Sequence, residues 1–167
     1  QSVNVLTQKR IKDQNLQNVG DAMANVTGIS ASQNDSERVD FYSRGFYVNN
    51  YTYDDIPSTQ TGAWNFGETD GDSAIYERID VVRGSTGLMT GTGNPGAAIN
   101  MIRKKADSKT FAGNLSASYG TWDNQRYVAD LSGPLNDSGT LRGRVVTGYQ
   151  DQDSWVDRYH KRKKFLY

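Results

Sequence analysis

Cysteine is absent from the 167 residues and histidine occurs once, at His160. Zinc and iron sites built from side chains draw mainly on those two residue types, so the composition argues against a resident metal centre. The missing cysteines leave the compartment open, although they are compatible with an oxidising one. Charge of one sign is missing as well: 19 Lys+Arg balance 19 Asp+Glu, and no electrostatic footprint for nucleic acid remains. No apolar run approaches the ~18 residues of a membrane helix, so any membrane contact must use β-structure. The chain opens at Gln1 with neither an initiator methionine nor a charged-then-apolar signal segment, and reads as a mature or excised fragment.

Among what is present, Gly91-Thr-Gly-Asn-Pro-Gly96 satisfies the G-x-G-x-x-G spacing of a dinucleotide-binding turn. That chemistry needs a helix after the glycines, whose free N–H groups hold a pyrophosphate. Here Ala98, Asn100, Ile102 and Lys104 alternate with Ile99, Met101 and Arg103, which predicts a strand. The glycines therefore predict a tight, backbone-dense loop and no cofactor.

Composition shifts near Asp107, and a boundary there gives two parts, 1–107 and 108–167. In the first, Val3–Thr7 reads as a strand. Leu16, Val19, Met23 and Val26 fall at helical spacing, and Thr27-Gly28 closes that helix. Extended structure follows at Ile29–Gln33, at Phe41–Phe46 with a bend at Arg44-Gly45, and at Ile79–Arg83. These elements predict an α+β module with a small mixed sheet. Between them, Tyr47–Pro57 and Ser58–Asp72 read as long loops carrying Tyr47, Tyr51, Tyr53, Trp64 and Phe66, too aromatic for ordinary disorder.

In the second part the period is two. Phe111, Gly113, Leu115, Ala117 and Tyr119 share one face, as do Tyr127, Ala129, Leu131, Gly133 and Leu135, and then Leu141, Gly143, Val145, Thr147 and Tyr149. Segments of about 9–11 residues suit tilted membrane strands. A soluble sandwich alternates too, but Tyr119, Tyr149 and Tyr167 near strand ends suit an interfacial girdle. Asn136–Thr140 reads as a compact turn and Gln150–Lys164 as a long charged loop, the inequality typical of outer-membrane barrels.

Phe41-Tyr-Ser-Arg-Gly-Phe46, Asp54-Asp-Ile-Pro57, Tyr76-Glu-Arg-Ile-Asp-Val-Val-Arg-Gly84 and its continuation to Gly96, and Ile99-Asn-Met-Ile-Arg-Lys104 together resemble the plug of TonB-dependent ferric-siderophore receptors, with hydroxamate and coprogen receptors closest. The resemblance covers roughly Gln1 to Lys105, and the segments after it resemble the first strands of a transmembrane β-barrel. It implies an α+β plug followed by an incomplete barrel. It also implies import of a ferric siderophore across the outer membrane of a Gram-negative bacterium, driven by the TonB complex through a segment lying before this chain. Iron then enters as ligand, with no cofactor, and the protein is not an enzyme.

On that resemblance Arg44 and Arg83 match plug arginines that pair with barrel glutamates. Asn50, Tyr51 and Trp64 match positions that touch the chelate, with Tyr47 and Phe66 as neighbours. Arg38 belongs to a loop, Asn34–Arg38, that departs from the ferrichrome-type pattern and lies within reach of the ligand. Packing against the barrel wall is the competing role for each aromatic. His160-Lys-Arg-Lys-Lys164 is expected beside an external loop, where it would meet lipopolysaccharide phosphates or simply be solvated. The other readings are a surface sensor or phage and bacteriocin receptor and, last, an enzyme, for which no nucleophile–base set is visible.

Overall fold

The computed structural model describes residues 2–35, 38–58, 71–84 and 95–167. The chain divides into two compact units, Gln1–Lys104 and Lys105–Tyr167. The first unit runs β1 (Ser2–Thr7), α1 (Gln8–Asp13), α2 (Val19–Ala24), β2 (Ser30–Gln33), β3 (Val39–Ser43), β4 (Phe46–Tyr47), β5 (Asn50–Tyr53), β6 (Ile56–Pro57), a 3-10 turn at Ser73–Ile75, β7 (Tyr76–Arg83) and β8 (Ala97–Arg103). Five of these strands form one sheet in the order β1-β7-β8-β5-β6, with β5 parallel to β8, and β2-β3-β4 form a second, antiparallel one. The strand expected after Gly96 is β8. Its side chains Ala97, Ala98, Ile99 and Met101 are all buried, as the apolar run of a central strand requires. Leu6, Val19, Met23, Phe41 and Ile79 complete a continuous core.

The helical segment is shorter than its apolar spacing suggests. Leu16 and Val26 are buried, but only Val19–Ala24 is helical, because Asn18 caps it by accepting the Asp21 N–H at 2.7 Å. A second helix, α1, carries a single buried residue, Ile11, so it has no stripe to read.

Tyr47–Pro57, expected as loop, contains a hairpin. Asp54 and Asp55 both have positive φ (51° and 67°), the backbone of a primed two-residue turn between β5 and β6. Polar partners hold the turn: Asp54 accepts the Arg103 backbone N–H (2.8 Å) and its Nε (2.7 Å), while Asn100 Nδ2 donates to Asp55 at 2.6 Å. Beside it Tyr76 is buried, and desolvation, with Tyr53 next to it, pushes its phenol well above the ordinary 10.0. A phenol that holds its proton longer when folded contributes stability in full below that ordinary value and loses it as pH rises further. In the intact protein, the protection of β7 amides, corrected for base-catalysed intrinsic exchange, is expected to fall as pH rises above about 10, and less steeply for Tyr76→Phe. Identical slopes would remove Tyr76 from the alkaline response.

The second unit is one antiparallel sheet, β12-β11-β10-β9, built from β9 (Ala112–Gly120), β10 (Asn124–Pro134), β11 (Arg142–Asp153) and β12 (His160–Leu166). The register sets Tyr127 opposite Ala117 and Tyr149, and Leu131 opposite Gly113 and Val145, so the three apolar faces merge into one. That face is bare: Phe111 is 84% exposed, Leu115 78% and Leu131 53%. The other face buries Arg126 and Gln150, joined at 3.0 Å, and the pair Arg144–Asp130, with Nε and Nη2 at 2.8 and 2.9 Å from its carboxylate. Arg144 also donates to the carbonyl of Lys105, and Arg142 to that of Asp107. Apolar outside and polar inside inverts a soluble sandwich and matches a membrane barrel wall. Bulky side chains lie over glycines of the facing strand: a Cβ at Gly133 would come within 2.5 Å of Phe111, and one at Gly113 within 2.9 Å of Leu131.

The expected loop Gln150–Lys164 is mostly strand. β11 extends to Asp153 and β12 begins at His160, leaving only Ser154–Tyr159 between them. The connection Thr121–Asp123 is shorter still, so the described turns do not divide into short and long sets. Charge misled here, because alternate residues of the basic run take opposite faces of a strand.

Candidate functional site

Two Arg-Gly pairs frame the candidate site. The bend at Arg44-Gly45 is a two-residue hairpin turn between β3 and β4, with both residues at positive φ (54° and 83°). It exposes the Arg44 side chain at its tip. Arg83 ends β7 and precedes Gly84, whose φ is 107°. The half-buried Arg83 guanidinium lies against Gly28, so closely that any Cβ there would collide with it. Among the described residues its Nε has no hydrogen-bond partner.

The aromatic and amide positions differ in setting. Tyr47 ends β4, its ring edge-on to Tyr42 with centroids 5.7 Å apart and its hydroxyl 3.4 Å from Asp40. Asn50 opens β5, half-buried, and its Nδ2 has no partner among the described residues. Tyr51, the next residue, faces the other way and is 3% exposed within the core cluster. Arg38, just before β3, is paired with Asp35. Trp64 and Phe66 lie outside the described residues, as does most of the glycine loop.

Besides Arg83 Nε, other atoms share the condition of Asn50, Asn4 Nδ2, Asp80 Oδ1 and Ser132 Oγ among them, and two lie next to the positions already named. Ser43 Oγ, beside Arg44, and Asn49 Oδ1, before β5, are buried without a hydrogen-bond partner among the described residues. Buried polar atoms are nearly always satisfied, so each such atom calls for a partner. Nothing in the sequence marked Ser43 or Asn49, since small polar residues acquire this meaning only through tertiary burial. The chemistry offered is donors, acceptors and guanidinium charge on strands and turns of two sheets. Among the described residues no group of three or more His, Asp or Glu is placed to hold a metal ion.

Comparison with known proteins supplies the family. A family model described as the TonB-dependent receptor plug domain matches residues 1–98. The ferripyoverdine receptor of Pseudomonas aeruginosa is 44% identical over 168 aligned residues, spanning 100% of this chain and 20% of that protein. The crystal structure of the outer-membrane ferripyoverdine receptor of Pseudomonas aeruginosa bound to ferripyoverdine superposes with a TM-score of 0.94 at 44% identity, over 99% of this chain and 22% of that one. The alcaligin outer-membrane receptor of Bordetella pertussis gives 0.87 at 41% identity, over 99% and 28%. The chain thus spans about a fifth of the length of the curated relatives it matches most fully. These relatives are receptors rather than enzymes, and with the plug model covering well over half of the residues, the chain belongs to the TonB-dependent receptor plug-domain family.

Proposed function

We propose that this chain is the plug and the opening barrel strands of a receptor in the outer membrane of a Gram-negative bacterium, which imports a ferric siderophore with energy from the TonB complex. The observation that carries this reading is the match at 44% identity, over the whole of this chain and a fifth of the relative, to a receptor for a ferric siderophore. The bare apolar face of β9–β11 supports the membrane part. Iron is cargo here, enclosed by its chelator, so the pocket needs shape and hydrogen bonds rather than metal ligands. Asn50, Tyr47 and Arg38, with Trp64 and Phe66, are the proposed contacts, and Tyr51, matched to the same set by resemblance but buried in the core cluster, is proposed to back that surface from behind Asn50. Arg44 and Arg83 are proposed to pair with carboxylates of the barrel, a role that suits the exposed guanidinium of one and the unpartnered Nε of the other.

The siderophore class favoured by the comparisons is pyoverdine-like or alcaligin-like rather than coprogen-like, because those are the ligands of the similar receptors. Fluorescence titration of the full-length receptor with ferripyoverdine, ferric alcaligin and ferric coprogen tests both levels. Saturable quenching, tightest with one of the first two, is expected. Silence with every iron chelate would overturn the receptor reading, and a preference for coprogen would overturn the class. Trp64→Ala should weaken the tightest ligand by about 1–3 kcal/mol, the loss of an aromatic anchor, and an unchanged affinity would take Trp64 out of the pocket.

A further inference from the structure

The chain passes from the first unit to the second through Arg103–Asp107, and this stretch is held at successive backbone positions. At the end of the first unit, Asp54 accepts the Arg103 N–H and Nε, and the Lys104 N–H donates to the Ile75 carbonyl at 2.9 Å. At the start of the second, Arg144 Nη1 donates to the Lys105 carbonyl at 3.1 Å and Arg142 Nη1 to the Asp107 carbonyl at 2.8 Å.

The two arginines match the linker in spacing. Arg142 and Arg144 stand two positions apart on β11, so both side chains leave the polar face of the sheet. Their acceptors are two residues apart as well, Lys105 with Arg144 and Asp107 with Arg142, so the linker crosses that face in the direction opposite to β11. In extended backbone both repeats measure about 7 Å. Arg144 is itself immobilised, because its Nε and Nη2 are held by the mostly buried Asp130 carboxylate of β10. One guanidinium thus ties the linker to two strands. The acceptors are backbone carbonyls, so the hold does not depend on the side chains of Lys105 or Asp107.

The peptide chain already joins the two units, and these bonds add something only when the chain is pulled. Residues 105–111 precede β9, and once freed such a segment spans up to about 25 Å. We propose that Arg142 and Arg144 are positioning residues for uptake: they clamp the linker to the sheet, so that a pull from the TonB complex deforms the first unit instead of drawing out slack in the linker. The inference rests on the receptor reading above, with the pull applied through a segment before this chain.

The test uses the full-length receptor. Arg142→Gln removes one clamp and leaves the buried Arg144–Asp130 pair intact. A lysine-specific protease should then cut after Lys105 and Lys109 about tenfold faster, the shift expected from losing one charge-assisted hydrogen bond. Titrations with ferripyoverdine and ferric alcaligin should match the wild type, whereas uptake of the radio-iron chelates by cells should keep its half-saturating concentration and lose most of its maximal rate. Arg142→Lys, which can still donate to the carbonyl, should restore both cleavage and rate. Asp130→Leu combined with Arg144→Met removes the second clamp without stranding a charge and should behave like Arg142→Gln. Cleavage equal to the wild type in both variants overturns the clamp. Faster cleavage at an unchanged maximal rate overturns its part in uptake, as does a loss that Arg142→Lys fails to rescue. A wild type that imports either chelate while the variants show no contrast sinks this proposal alone, whereas a wild type silent to both chelates sinks the receptor reading.

Discussion

Truncating Phe41 to alanine is expected to cost the first unit about 3–5 kcal/mol, the usual loss for a buried aromatic whose space cannot close. The ring is fully buried in the core cluster, and the Phe41 carbonyl accepts the Val48 N–H at 2.8 Å. Phe41 also lies three residues before Arg44, so the strand that loses its anchor is the one that presents the Arg44-Gly45 turn. Amide exchange through Val39–Tyr47 in the intact receptor should therefore quicken markedly, and chelate affinity should fall with it. Phe41→Leu, which keeps most of the volume, should cost under about 1.5 kcal/mol. If Phe41→Ala exchanged like the wild type, the core assigned here would not be what holds β3.

The second large effect is expected at Asp130. Its carboxylate and Arg144 are 11% and 15% exposed, so removing one partner strands a mostly buried charge. Asp130→Ala should destabilise the sheet by about 3–5 kcal/mol. Replacing both partners with apolar residues of similar size should recover much of that loss, since a buried ion pair contributes little net stability over good packing. Thermal unfolding of the receptor in detergent gives the magnitude. Exchange at residues 105–107 adds an independent reading, because Arg144 would no longer be held to donate to the Lys105 carbonyl. A midpoint unmoved by Asp130→Ala would mean that the pair is solvated and carries no structural load.

Much of this architecture was legible because burial imposes a period. The alternation in 111–119, 127–135 and 141–149 became strands in the expected order and with the expected shared face, since a one-residue error would have turned every apolar side chain inward. The block ending in Arg83 and the strand after Gly96 were equally plain. What stayed hidden had no period. α1 buries one residue in six, and the β5–β6 hairpin is set by two aspartates in left-handed backbone whose partners, Asn100 and Arg103, lie some 45 residues away in sequence. The charged run reads as loop because charge suggests solvent, yet on a strand it distributes over two faces. At the candidate site, Arg44 and its glycine could be read as a turn. The separation of Asn50 from Tyr51, one half-buried and the other in the core, follows from strand geometry that the loop reading had not granted.

The glycines beneath Phe111 and Leu131 have a consequence for how the sheet finds its pairing. Polarity alternation punishes a slip of one residue but is blind to a slip of two, which restores every side chain to its own face. Only shape can tell the two alignments apart. Displaced by two positions, Phe111 would stand opposite Leu131 or Leu135 instead of Gly133, and Leu131 opposite Phe111 or Leu115 instead of Gly113. Each of these swaps sets bulk against bulk where the native pairing sets bulk against a vacancy of the right size. The glycines thus work as notches of a key, rejecting the near-correct alignments that hydrophobicity alone would accept.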